Sequence, residues 1–247
     1  MGGVVGKAQD EPSPKSYAPE TKLEAKMVEA MQRRALEGTS MKLSQSYRFC
    51  NEVKMEMGTI FSQYWNHQVC VFCDEDSNGA IDPEELKHCF HKLEVKFSDE
   101  EINDLFLACD IYENMGMKFN EFIVLLCLVY LLKEDPQARQ AKSRMGLPDL
   151  EATFESVVDA FVFLDKNKDG YVSKNEMVQA INETTTGERS SGRIAMKRFV
   201  VAVWLILGYF VIAEEMDWDK NGMVTFKEFL FAFTRWIGMD DIDDDED

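Results

Sequence analysis

Asp165–Glu176 reads DKNKDGYVSKNE, and the spacing of its oxygen-bearing residues decides the fold. Asp165, Asn167, Asp169 and Ser173 stand at window positions 1, 3, 5 and 9, Glu176 closes the window at position 12, and Tyr171 at position 7 offers its backbone carbonyl. A hard divalent cation takes six to eight oxygens at about 2.3–2.6 Å, which a chain supplies by bending sharply and returning a bidentate carboxylate from the helix that follows. Gly170 stands at position 6, where the bend calls for a left-handed backbone that glycine adopts without penalty.

The pattern recurs twice. DEDSNGAIDPEE places Asp74, Asp76, Asn78, Asp82 and Glu85 in the same roles, with the carbonyl of Ala80 at position 7 and Gly79 at the bend. DWDKNGMVTFKE places Asp217, Asp219, Asn221, Thr225 and Glu228 there, with the carbonyl of Met223 and Gly222. Ile81, Val172 and Val224 fill position 8, where paired loops are expected to share a short strand. Three sites in phase predict three Ca²⁺ ions, with Mg²⁺ a candidate occupant at rest. A further window, DIYENMGMKFNE, keeps Asp110, Asn114 and Glu121 but has Tyr112 at position 3, Met115 at position 6 and Lys118 at position 9. It predicts a structural loop with little or no Ca²⁺ affinity, paired with the first.

Rival chemistry is thin. Cys70, Cys73, His88 and His91 resemble a two-cysteine, two-histidine zinc set, but they straddle a stretch already explained as a cation loop, and the histidine spacing is short. No nucleophile elbow, phosphate-cradling glycine loop or kinase signature appears, so no enzymatic activity is expected.

Around the loops the chain reads as helices. Ile102, Leu105 and Phe106 precede the second loop, behind a Ser98/Glu101 capping box, and Phe122, Leu125, Leu126 and Val129 follow it. Val157, Phe161 and Leu164 precede the third loop, and Met177, Val178 and Ile181 follow it. The expected organisation is a leader over 1–20, an amphipathic helix over 21–38, an unassigned stretch over 39–65, a first pair of loops over 66–133, a linker over 134–148 separating two lobes, a second pair over 149–238 and an acidic tail over 239–247. Thr21 and Glu24 form a capping box for the amphipathic helix, whose stripe is Leu23, Met27 and Met31. That stripe either docks on the body of the protein or fills its own target groove. The run VVAVWLILGYFVIA over 200–213 reads as an insertion before the fourth loop, and it is shorter than the ~20 apolar residues of a membrane span.

Lys and Arg total 27 against 45 Asp and Glu, a net charge of −18 at pH 7, which repels a phosphate backbone and excludes nucleic acid as the natural partner. The six cysteines, all between Cys50 and Cys127, show no secreted disulfide framework, so a reducing, cytoplasmic setting is expected. Gly2 is a weak candidate for myristoylation, because Gly6 stands where serine or threonine is usual; acylation would make the protein membrane-associated.

With these loops the chain resembles calmodulin and, more closely in layout, the calmodulin-like calcium sensors of plants, over roughly Asp74 to Gly238. The resemblance implies an all-α fold of the EF-hand superfamily, with two pairs of EF-hands joined by short loop–loop β pairing, reversible Ca²⁺ binding, and target proteins engaged as amphipathic helices in a groove. Phe72, one residue off the usual aromatic before Asp74, and the 200–213 insertion depart from that pattern. A calcium buffer, or a regulatory subunit held permanently on an enzyme or channel, remain alternatives to the sensor.

Overall fold

The computed structural model describes residues 17–37, 73–92, 95–133, 143, 145–185 and 216–238. Gly2, Gly38, the 39–65 stretch, Cys70, Phe72, the 200–213 run and the acidic tail lie outside the described residues. The elements in order are α1 (Lys22–Glu37), α2 (Pro83–Lys92), α3 (Asp99–Cys109), α4 (Phe119–Leu132), α5 (Pro148–Leu164), β1 (Val172–Ser173), α6 (Lys174–Thr185), β2 (Met223–Val224) and α7 (Phe226–Trp236). The fold is helical, with one small two-stranded antiparallel sheet.

Each helix start has a local cause. Ser98 caps α3 by accepting from the Glu101 amide while the Glu101 carboxylate accepts from the Ser98 amide, and Thr225 and Glu228 do the same for α7. At α1 the Glu24 amide donates to Thr21 Oγ1 at 3.0 Å, but the Glu24 carboxylate accepts from the amide of Glu20, one residue earlier than a capping box places it.

The loops pair as position 8 requires. Val172 faces Val224 across the β1–β2 pair, and Ile81 forms an isolated antiparallel bridge with Met117, each amide donating to the other's carbonyl at 2.9 Å. The fourth partner, Met117, comes from the degenerate window.

The two pairs do not sit apart as lobes; they share one core built around α4. Its sequence, FNEFIVLLCLVYLL, is apolar on every side, and every residue from Phe119 to Leu131 is buried. A helix hydrophobic all round needs partners all round. They are α3 from its own pair, α5 and α7 from the second pair, and α1. Phe161 of α5 packs edge-on against Phe226 and Phe229 of α7, with centroids at 5.2 and 5.4 Å. The α1 stripe takes part through Met27, Ala30, Met31 and Ala35, all buried, so the amphipathic helix docks on the body. Between α1 and α5, buried Arg34 pairs with Glu155 and, at 3.1 Å, with the fully buried Asp159.

Cys73 and Cys89 are joined as a disulfide with Cα atoms 4.9 Å apart, a single bridge that the sequence reading did not anticipate. The bridge ties the residue before Asp74 to α2, across the first loop. Cysteines sixteen residues apart meet here because the loop doubles the chain back, a contact that spacing alone does not announce. No described helix is long and apolar enough to cross a membrane.

Candidate metal centres

In all four loops the acid at position 12 turns inward and is held by backbone amides. Glu85 Oε1 accepts from the amides of Glu75 and Asp76 at 2.8 and 3.3 Å, and its Oε2 accepts from Asp82 at 2.9 Å. Glu176 accepts from Lys166 and Asn167 at 2.9 and 3.0 Å on one oxygen, and from the Ser173 amide and hydroxyl at 2.9 and 2.7 Å on the other. Glu228 accepts from Trp218 at 3.1 Å, and from the Thr225 amide and hydroxyl at 2.8 Å each. The local cause is the capping chemistry of the exiting helix. Position 9 is its N-cap and position 12 its third residue, so the hydrogen bonds that start the helix also aim the carboxylate at the loop.

The acid at position 1 is fixed in the same manner from the other side. Asp74, Asp165 and Asp217 each accept from the amides at positions 5 and 6, at 2.8–3.1 Å. Carboxylate oxygens of Asp74, Asp76 and Glu85 lie within 4.8 Å of one another, as do those of Asp217, Asp219 and Glu228. In the third loop position 3 is an amide, Asn167, whose Nδ2 donates to Asp169 at 2.7 Å and whose Oδ1 accepts from the Asp169 amide at 2.9 Å. Asp82 Oδ1, at position 9 of the first loop, accepts from Glu84 and Glu85 at 2.8 Å. The position 7 residues, Ala80, Tyr171 and Met223, each donate their amide to the side chain at position 5, at 2.8–2.9 Å.

Such convergence is electrostatically costly for bare carboxylates. Burial pushes Asp165 up to about 6, and the charges of Asp169 and Glu176 add to the shift. Asp217 is raised by burial and by neighbouring Asp219, and Glu228 by burial first. A hard divalent cation relieves this cost, and an all-oxygen set of this kind fits it better than it fits a soft metal.

The glycines stand as the pattern requires, with φ of +85, +89 and +88° at Gly79, Gly170 and Gly222. Position 4 is also left-handed in every loop, at Ser77, Glu113, Lys168 and Lys220 with φ of 50–60°, a feature that composition did not signal. In the second loop Met115 adopts φ 59° at position 6, so the loop keeps its shape despite a side chain at the bend. Asp110 accepts from Asn114 and Met115 at 3.3 and 3.0 Å, and Glu121 accepts from Ile111 and Lys118 at 2.8 Å each. What changes is the ligand set. The Lys118 ammonium lies 5.7 Å from the centre of the Tyr112 ring, so a cation and an aromatic ring occupy positions 9 and 3.

No zinc set assembles among the described residues: Cys73 is bound to Cys89, and the exposed His88 imidazole lies 3.6 Å from Glu75. Sequence reasoning missed the residues that touch the loops from outside. Gln32 donates to the Asp169 carbonyl at 3.1 Å, the Tyr171 hydroxyl donates to Glu24 at 3.1 Å, and the Asn221 amide donates to the Tyr17 hydroxyl at 2.9 Å.

The sequence pattern described as EF hand matches residues 157–181, and that described as EF-hand domain pair matches residues 77–126. The Arabidopsis thaliana protein described as "Probable calcium-binding protein CML21" is 57% identical over 98% of this chain and 94% of its own length. A second, "Probable calcium-binding protein CML22" of the same organism, is 43% identical over 70% of each chain. "Calcium-dependent protein kinase 2" of Zea mays is 26% identical over 66% of this chain but only 25% of the kinase.

Proposed function

Because the chain belongs to the EF-hand family, with calmodulin-like calcium-binding proteins among its relatives, we propose that it takes up Ca²⁺ at its first, third and fourth loops and relays that binding to target proteins. The observation that carries this reading is the glutamate at position 12 of these three loops, turned inward onto loop amides, with the carboxylates of the first and fourth loops gathered within 4.8 Å. The ligands would be Asp74, Asp76, Asn78, Asp82 and Glu85; Asp165, Asn167, Asp169, Ser173 and Glu176; and Asp217, Asp219, Asn221, Thr225 and Glu228, with the carbonyls of Ala80, Tyr171 and Met223. A bound Ca²⁺ supplies positive charge that neutralises these clusters. The second loop serves as a structural partner, its Met117 bridging to Ile81.

Calorimetric titration of the metal-free protein tests the count. Three sites are expected, with affinities of roughly 10⁻⁷–10⁻⁵ M for sensor loops. Glu85→Gln, Glu176→Gln and Glu228→Gln should each remove one site, and Glu121→Gln none; a Glu121→Gln variant that loses a site would overturn the assignment. The sensor reading requires a new apolar surface on binding, and sensor hands open their helices when the position 12 acid is captured. Calcium-dependent binding of a hydrophobic dye measures it, and an unchanged surface makes the protein a buffer. The partners proposed are proteins that offer an amphipathic helix, and the protein itself is read as non-enzymatic.

A further inference from the structure

α1 and Tyr17, which precedes it, touch the loops of the second pair at ligand-bearing residues, α1 at the third and Tyr17 at the fourth. Gln32 holds the carbonyl of Asp169, the position 5 residue of the third loop. Tyr171, whose carbonyl is the position 7 ligand, is pinned by its side chain: the hydroxyl donates to Glu24, and the ring meets Tyr17 edge-on at 4.5 Å. Between these contacts Val28 lies so close to Gly170 that a Cβ there would fall 2.9 Å from Val28 Cγ1. In the fourth loop, Asn221 Nδ2 donates to the Tyr17 hydroxyl at 2.9 Å while Asn221 Oδ1 accepts from the Met223 amide. The same Nδ2 also donates to Asp219 at 2.5 Å, so Tyr17 and Asp219 together fix the position 5 amide within the loop.

We propose that residues 17–37 form a built-in helical ligand of the second pair, whose seating and cation binding at the third and fourth loops strengthen each other. This rests on the reading that those loops bind Ca²⁺. The sign follows from the contacts: residues 17–37 hold the Asp169 carbonyl, the Tyr171 side chain and the Asn221 amide while Glu176 and Glu228 are turned in, so their seating stabilises the binding-ready loops. Linkage makes the effect reciprocal, and a cation at either loop holds α1 more tightly. α1 also fills the apolar bed between α3, α4 and α5.

Amide hydrogen exchange of the full chain tests the coupling, with calorimetry on the same samples. Saturating Ca²⁺ is expected to slow exchange of the α1 amides about tenfold, within the usual range of coupling between sites. Glu176→Gln and Glu228→Gln should each reduce that slowing, and Glu85→Gln, in the first loop, should leave it. The pair Tyr17→Phe and Gln32→Ala keeps the α1 core face intact and should weaken calcium at the second pair about threefold. Exchange of α1 that stays unchanged or quickens while calorimetry finds the third and fourth loops filled overturns the coupling. Calorimetry that finds those loops unable to bind overturns the underlying assignment, and the coupling falls with it by a separate readout.

Discussion

Replacing Gly170 with alanine separates the cost of a left-handed turn from the cost of pushing α1 away. Gly79, Gly170 and Gly222 share nearly the same backbone, with φ of +85, +89 and +88°, so alanine should impose a similar conformational strain of roughly 1–2 kcal/mol at each. Their surroundings differ. A Cβ at Gly79 or Gly222 meets nothing within 4 Å, whereas at Gly170 it falls 2.9 Å from Val28 Cγ1 and 3.2 Å from Val28 Cα. The side-chain methyl can rotate, but the backbone carbon gives way only if α1 shifts, an overpacking cost of about 1–3 kcal/mol. Gly170→Ala should therefore lose about 2–5 kcal/mol of stability, and Gly79→Ala and Gly222→Ala about 1–2. Urea denaturation of the full chain in chelator reads this without the contribution of bound cation, provided the transitions are two-state. Adding Val28→Ala removes the nearer contact and should recover part of the excess, giving a coupling of about 0.5–2 kcal/mol. Equal losses at all three glycines would refute the placement of α1 against the third loop.

The second loop already has the required backbone, so Tyr112→Asp, Met115→Gly and Lys118→Ser together should create a fourth calorimetric site. Failure to gain one would mean that more than the ligand set is degenerate. Arg34→Met removes the buried cation that pairs with both Asp159 and Glu155, and should cost up to about 3–5 kcal/mol in denaturant unfolding. Arg34→Met with Asp159→Leu should recover much of it. Glu101 is held down to about 2, chiefly by the Lys26 ammonium at 2.6 Å and then by the Ser98 amide. Its folded value lies below the usual 4.5, so its contribution is complete above that pH and is lost as the pH falls from 4.5 toward 2. Lys26→Ala should raise the Glu101 midpoint in a carboxyl NMR titration, and an unmoved midpoint would show that the pair does not form in solution.

The loops were legible because every constraint on them is local. Position 1, position 6 and position 12 act within twelve residues, and the Ser98/Glu101 capping box within four. Where the reading fell short, the partners are remote: Tyr17 meets Asn221 across 204 residues and Gln32 meets Asp169 across 137, distances over which no periodicity persists. α4 shows a middle case. Phe122, Leu125, Leu126 and Val129 read as one apolar face, yet Val124, Cys127 and Leu128 on the other sides are equally buried. The signal was present in the uninterrupted apolar run, but which helices cover the extra faces depends on how the two pairs pack. Met115 stands at the bend of the second loop, which keeps its shape. A side chain at φ 59° costs only a modest amount, which the surrounding hydrogen bonds to Asp110 and Glu121 offset.

The packing around α4 bears on where a calcium signal can leave the molecule. Glu121 and Glu228, the position 12 acids of the second and fourth loops, sit in the first turns of α4 and α7, and these two helices pack on each other at the heart of the core. Swinging α4 would strip α1, α3, α5 and α7 from it at once, a loss of buried apolar surface that capture of one carboxylate does not repay. A second loop that cycled between free and bound states would pull on the helix least able to move, and its Tyr112 and Lys118 remove that pull. By contrast α2 and α6, which follow the first and third loops, have as their main described partners α3, and α5 with β1, respectively. Val178 on α6 is already exposed. Movement on calcium binding should therefore concentrate in α2 and α6, with the Cys73–Cys89 bridge restraining α2 and leaving α6 the freer of the two. Amide exchange that changes most in α6 and least in α4 would fit this division; the largest change in α4 would reject it.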